Sequence, residues 1–384
     1  MQLDPSDPAM LLDPVATYAA ARKDSPVATM PVPGLGTLWI VTRHEAARAM
    51  LTDPRFRLGR ESYAMRPAGL PDTPNLGEMD GPDHARLRRL VAPAFTARRA
   101  AEFRPRIERI VDGLLDRVAP EFDLLRDFAH PMPIEVMCEL VGIAEDDRPL
   151  WRRVGVAVAS GQGQAFQDAI PDILAGAKAA IARRRAEPGD DLLTDLVKSE
   201  ATDDELVVLV WHLVLAGQVP GNLIGNAVEA LLRHPDQLAL LRQDPSLLPR
   251  AVEELLRWCT PQLLTVPRFT AEDVEIGGVP IPKGEPVTVS MLSVNRDPDV
   301  FPDPDRLDVT RAPGSFGHLA FAHGAHFCLG AAIARVETEV ALAALINRFP
   351  GLRLAADPVR VPDPGTWRLT TLPVTTAEVT PAGE

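Results

Sequence analysis

Cysteine is scarce in this chain. Cys138, Cys259 and Cys328 are too few, and odd in number, for a disulfide framework, so each is read alone. Basic charge is in deficit too: the net charge is −13 and the pI about 5.2, which excludes a nucleic-acid binder as a whole. At the N-terminus, "MQLDPSDPAMLLDP" has no basic segment followed by an apolar run, so no signal peptide is expected. The longest apolar run, Leu206 to Gly217, is too short to span a bilayer and contains His212. No low-complexity linker and no repeat of fixed period divides the 384 residues. The expectation is a soluble, cytoplasmic protein without membrane or nucleic-acid partners. It should form one large domain over residues 1–384, rather than the two or three that length alone suggests. What is present in quantity is apolar surface: 46% of the residues are hydrophobic, enough to fill a large core.

Residues 27–42, "VATMPVPGLGTLWIVT", predict two strands joined by a Pro/Gly turn. A short helix, "RHEAARAMLTDP", stops before Pro54. Residues 60–80 are rich in Gly, Pro, Asn and Asp and predict a long loop of the kind that is often functional. From Pro82 onward, "DHARLRRLVAPAF", "RPRIERIVDGLLDRV" and "ILAGAKAAIARRRAEP" carry helical apolar spacing. Thr202 to Arg233 predicts one very long helix, about 45 Å at roughly 1.5 Å per residue, opened by a capping box of Thr202 and Glu205. Its first half is apolar on every face, as in helices buried through the middle of a domain. "LPRAVEELLRW", a set of strands in "EDVEIGGVPIPKGEPVTVSML", a Pro/Asp-rich coil over 295–311 and a final helix over 329–348 follow. The fold class expected is mainly α with a smaller β part. A β-rich lobe spans about 27–60, 265–292 and 355–380, and a helical lobe about 82–260 and 329–348.

The long helix contains one anomaly. "LVLAGQVPGNLIGN" places Gln218, Pro220 and Gly221 where each weakens a helix. In a helix interior Pro220 costs about 3 kcal/mol and Gly221 about 1 more. Either the kink merely makes room, or it serves whatever the helix faces.

The Gly-rich segment "HLAFAHGAHFCLGAAIARVE" places Cys328 at the start of an amphipathic helix. Ile333, Val336 and Val340 lie on one side of it and Arg335, Glu337 and Glu339 on the other. Backbone N–H groups and the helix dipole there favour a thiolate with a lowered pKa. Gly324 and Gly330 permit a tight turn and the close approach of something flat. Cys138 and Cys259 lack such surroundings and read as structural; a lone Cys328 could be read the same way.

"FAHGAHFCLG" resembles the Phe-x-x-Gly-x-His-x-Cys-x-Gly signature of the cytochrome P-450 family of haem-thiolate enzymes. "EELLR" resembles that family's Glu-x-x-Arg pair, here Glu254 and Arg257. "VNRDPDVFPDPDRLDVTR" resembles its meander, and "MDGPDHARLRRLVAPAFTARR" the helix along one haem edge. The resemblance covers about residues 14–378 and is to the soluble bacterial members. It implies the P-450 fold, with the long central helix crossing the haem, and haem b (iron protoporphyrin IX) as cofactor. Cys328 is then the iron ligand and Phe321 shields its sulfur. His84, Arg88, Arg268 and His326 are implied as propionate contacts. His84 and Arg88, four apart on one helix face, would alone read as a solvated surface. Glu254 and Arg257 would alone read as an exposed ion pair. The resemblance instead implies a buried structural triad completed by Arg306.

The family usually carries Ala-Gly-x-Glu/Asp-Thr on the distal helix, and this chain departs from it. Ala216 and Gly217 match. One register then puts Val219 at the acid and Pro220 at the threonine; the other puts Gln218 and Val219 there. No Ser, Thr, Asp or Glu lies between Trp211 and Asn226. Ala216, Gly217, Gln218 and Val219 are the expected oxygen and substrate region, with backbone carbonyls and Gln218 holding water or a polar substrate group. Pocket walls are expected from the 60–80 loop, Leu215, Gln262 to Val266 and Trp367 to Thr370. The function expected is oxidation of a small organic substrate in specialised metabolism, with O2 and electrons from a ferredoxin or flavodoxin and its reductase. Oxidative coupling or peroxide-dependent chemistry on the same scaffold is the alternative, and a haem carrier or sensor without turnover a third. Arg86, Arg89, Arg98, Arg99, Arg104 and Arg106 form either a solvated basic run or a docking patch for that acidic partner.

Overall fold

The computed structural model describes residues 1–62, 68–159, 163–312, 314 and 317–376. Residues 63–67 of the expected 60–80 loop, and 377–380 at the end of the expected β lobe, lie outside the described residues. A five-stranded sheet orders its strands as Val27–Val32, Gly36–Val41, Pro286–Val289, Arg268–Thr270 and Phe56–Arg57. The first pair is the predicted hairpin, antiparallel with Val27 opposite Val41. Gly36–Val41 then runs parallel to Pro286–Val289, with Trp39 opposite Val287. Sequence-distant segments thus close one sheet, and Val41, Val287 and Val289 from it are fully buried.

Helices form the rest. Gly81–Val91 is capped by Asp80, and Ala97–Leu115 by Thr96. Leu248–Trp258 and Ala331–Arg348 occupy the positions the periodicity predicts. Ala331–Arg348 packs against Ala97–Leu115 and against Leu248–Trp258, so the helix that follows Cys328 is held on both sides.

The central helix differs from expectation. Thr202 and Glu205 make both bonds of the capping box (Glu205 N–H to Thr202 Oγ1 3.3 Å, Thr202 N–H to Glu205 Oε2 2.8 Å). The helix then ends at Ala216, and a second one, Val219–Arg233, begins after a two-residue break. The break is a tighter turn: Gln218 N–H bonds the Leu215 carbonyl at 3.2 Å, three residues back. Pro220 therefore sits in the first turn of a new helix, where its missing N–H is no loss, rather than in an interior. Gln218 Nε2 bonds the Val214 carbonyl at 2.9 Å and replaces the backbone donor displaced by the turn. Two glycines permit the packing. A Cβ at Gly217 would lie 2.3 Å from Met137 Cγ, and one at Gly221 2.6 Å from the Ala129 carbonyl oxygen. By length and composition Asp203–Arg233 is apolar enough to cross a membrane, but 67% of that stretch is buried inside this fold.

Candidate active site

The break faces a cavity of about 490 Å³. Ala216, Gly217, Val219 and Pro220 line one part of it, and Phe321, His326, Cys328 and Gly330 another. His84, Arg88 and Arg268 also reach it. The sequence-predicted residues are therefore brought together, with two exceptions. Gln218 does not line the cavity: its amide nitrogen is held by Val214 and its oxygen lies on the side of Gly155. Arg306 is exposed and contributes only its carbonyl to the buried cluster.

Cys328 sits in a turn closed by its own N–H to the Phe321 carbonyl (2.9 Å). Arg335 stacks on the Phe321 ring at 4.6 Å and bonds Glu253 through its second nitrogen at 3.0 Å; His318 holds Glu253 from the other side at 3.1 Å. Glu253 is half-buried, which alone would raise it, but His318 and Arg335 outweigh that and hold it at about 2. The turn depends on Gly324, at φ +79°, where a Cβ would lie 2.7 Å from the Leu51 carbonyl. The expected lowering of the thiol is reversed. Burial pushes Cys328 up, against the Gly330 N–H, Arg88 and Arg335.

An anion-binding cluster stands beside the thiol. His84 and His326 stack at 4.0 Å between ring centroids. His326 Nε2 meets Asp80 Oδ1 at 3.1 Å. Burial alone would raise Asp80, but His326 and the Leu58 and Gly81 N–H groups hold it at about 2. Burial, then His326 and Arg88, push His84 down to about 4, and its Nε2 is buried without a protein partner. Arg268 bonds the Leu51 carbonyl at 2.9 Å through one nitrogen, and Arg88 bonds the Phe327 carbonyl.

Behind this wall lies a salt-bridge core. Glu254 and Arg257 are 1% and 2% exposed, with Nε to Oε2 at 2.7 Å and a second nitrogen to Oε1 at 2.8 Å. The third member is Arg311, whose Nε lies 3.0 Å from Glu254 Oε2. Arg306, expected in that role, has its side chain exposed, and the coil before it passes through Asp303 at φ +46°. Arg257 and Arg311 both bond the Arg306 carbonyl.

Other expectations shift as well. Leu76 and Gly77 of the 60–80 loop and Gln262, Leu264, Thr265 and Val266 line the cavity, whereas Leu215 and Trp367 to Thr370 do not. Glu337, assigned to the polar side of its helix, is 1% exposed and lines the cavity. Burial raises its carboxyl well above the usual range, and neither oxygen has a hydrogen-bond partner among the described residues. Among the basic cluster, Arg86 pairs with Glu205, Arg104 with Glu339 at 2.7 Å, and Arg98 and Arg99 with Glu102 at 3.0 and 3.2 Å.

A cavity with a cysteine sulfur on its wall, a glycine-shaped approach and a buried group of guanidinium and imidazole donors fits a flat, iron-bearing dianion. Haem has that chemistry: iron for the sulfur and two carboxylates for the donors. The fold and site define a haem-thiolate oxidoreductase. The family model described as cytochrome P450 matches residues 226–374. The chain is 44% identical to "Cytochrome P450 107B1" of Saccharopolyspora erythraea over 95% of its own length and 94% of that protein's. It is 43% identical to the "6-deoxyerythronolide B hydroxylase" of the same organism, over 92% and 91%. A solved structure, the cytochrome P450 enzyme CxnD for C–S bond formation in chuangxinmycin biosynthesis, superposes with a TM-score of 0.86 at 36% identity, covering 95% of each chain. This chain belongs to the cytochrome P450 family. It is an oxidoreductase with haem b as cofactor and a mainly α fold with a smaller β part.

Proposed function

We propose that the protein oxidises a mid-sized, largely apolar product of specialised metabolism, and that the substrate supplies the acid or hydroxyl the distal helix lacks. Haem held by a thiolate supplies oxidising power from O2 and electrons. Cys328 is the iron ligand, in a turn closed on the Phe321 carbonyl and backed by the Arg335 stack on the Phe321 ring. His84, Arg88, Arg268 and His326 bind the propionates. His84 Nε2, buried and unpartnered, is the plainest support for that assignment, because a buried donor without an acceptor is costly.

One observation carries the substrate-assisted reading. The distal wall is Ala216, Gly217, Val219 and Pro220, with no acid or alcohol to order water or deliver protons. Pro220 offers no N–H to the Ala216 carbonyl, which leaves that carbonyl an acceptor for a substrate hydroxyl or N–H. Gln218 plays no part in this, since it does not line the cavity. The relatives support the substrate class: one is named a 6-deoxyerythronolide B hydroxylase, and the CxnD structure is described as forming a C–S bond in chuangxinmycin biosynthesis. Hydroxylation of a hydroxyl-bearing substrate is the first outcome and oxidative coupling the second. Electrons come from a cytoplasmic ferredoxin or flavodoxin with its reductase. Arg89, exposed and in no ion pair among the described residues, is the most available member of the basic cluster.

The test compares NADH consumed with product formed on macrolactones with and without a free hydroxyl, in wild type and Val219→Thr. Wild type should be coupled only on the hydroxylated compounds, and Val219→Thr should improve coupling on the others. Tight wild-type coupling on an unfunctionalised alkane contradicts the reading.

A further inference from the structure

Between Leu206 and Leu215 every residue of the central helix is buried except His212. The exposed part of its ring faces the cavity that it lines together with Leu213, Ala216 and Gly217. His212 and Ala216 are four residues apart, so they stand one above the other on the same helix face. The Trp211 ring meets the imidazole edge-on at 5.8 Å and 84°. No side-chain hydrogen bond is made by His212 among the described residues. A polar ring left unpaired on an apolar wall is costly unless something else bonds it.

We propose that His212 is the polar anchor of the substrate cavity, selecting a ligand that presents an uncharged hydroxyl or carbonyl oxygen beside the distal helix. This deepens the function proposed above and rests on the cavity being the haem and substrate chamber. The other polar walls are accounted for differently. His84, Arg88, Arg268 and His326 form the anion-binding cluster. Thr265 Oγ1 is held by Thr288 Oγ1 at 3.0 Å. Gln262 and Glu337 are also free, but they come from other elements, and only His212 shares the helix face of Ala216 and Gly217.

The charge state decides the ligand class. Burial pushes His212 down to about 4, against the opposing charge of Glu78, so near neutral pH the ring has one N–H donor and one acceptor nitrogen. A hydroxyl can use either nitrogen and a carbonyl the donor, whereas a carboxylate gains no charge pairing. Few, well-placed polar groups in an apolar cavity orient a ligand more than they hold it, so His212 is a positioning residue.

The test is a spin-state titration of the haem-loaded protein, followed at the Soret band, with cyclododecanol, cyclododecanone and cyclododecane. It requires no turnover. Wild type should bind the alcohol and ketone about tenfold more tightly than the hydrocarbon, the scale of one neutral hydrogen bond. His212→Leu should bring that ratio near one with the hydrocarbon's affinity kept, and His212→Asn should restore at least part of it. A merely structural role would weaken all three ligands alike. An unchanged ratio in His212→Leu, or no preference in wild type, overturns the proposal and leaves the proton-supply question to the NADH experiment. A wild-type protein that takes up no haem sinks the underlying function instead.

Discussion

The salt-bridge core behind the thiolate turn offers the sharpest stability experiment, because the structure ranks its members. Removing one partner of a buried pair typically costs about 3–5 kcal/mol, since a charge is left uncompensated. Glu254→Ala strands two guanidiniums and also loses the Asp308 N–H bond of 3.0 Å, so it belongs at the top of that range. Arg311→Met belongs below it, at about 2–3 kcal/mol. Glu254 then keeps its two bonds to Arg257, while the carbonyls of Pro302, Asp303 and Arg306 lose a donor. Arg306→Met removes only an exposed side chain and should stay within about 0.5 kcal/mol. Urea unfolding of the haem-loaded protein, followed by tryptophan fluorescence and the Soret band together, reads these values as midpoint shifts at constant slope. The order should be Glu254→Ala, then Arg311→Met, then Arg306→Met indistinguishable from wild type. If Arg306→Met costs as much as Arg311→Met, the assignment of the third arginine is wrong.

Two further outcomes follow from the geometry. Asp80 is depressed to about 2 by His326 and backbone donors. Its stabilising contribution is therefore complete above its ordinary pKa and lost as pH falls from about 4 towards 2. An acid titration of stability should be shallower in Asp80→Asn than in wild type over that window; identical slopes contradict the pairing. Gly221→Ala would set a Cβ 2.6 Å from the Ala129 carbonyl oxygen. It should destabilise the protein by about 1–3 kcal/mol, as overpacking does, whereas a neutral effect would mean that the two segments can move apart there.

Much of this was legible in the sequence, for identifiable reasons. The hairpin over 27–42, the capping box at Thr202 and the thiolate turn are local: turn residues, caps and a fixed spacing dictate them. The triad's third arginine was not legible. Arg306 and Arg311 lie in the same Pro/Asp-rich coil, and only the backbone path through Asp303 decides which guanidinium turns inward. The central helix was read as continuous because apolar residues resume on both sides of Gln218, Pro220 and Gly221; the two-residue break is set by Pro220's missing donor and by Gln218 capping Val214. Glu337 was placed outward by helical periodicity, and the buried side of that helix claimed it. His212 carried a faint signal, a single ionisable residue inside an unbroken apolar run, but only the cavity gives that signal a purpose.

The central claim is that Cys328 bonds haem iron as a thiolate. The carbon-monoxide spectrum of the reduced, haem-loaded protein tests it most directly. Wild type should show the strongly red-shifted Soret band of thiolate ligation and Cys328→Ala should not. Absence of the band from wild type, or its persistence in Cys328→Ala, contradicts the account.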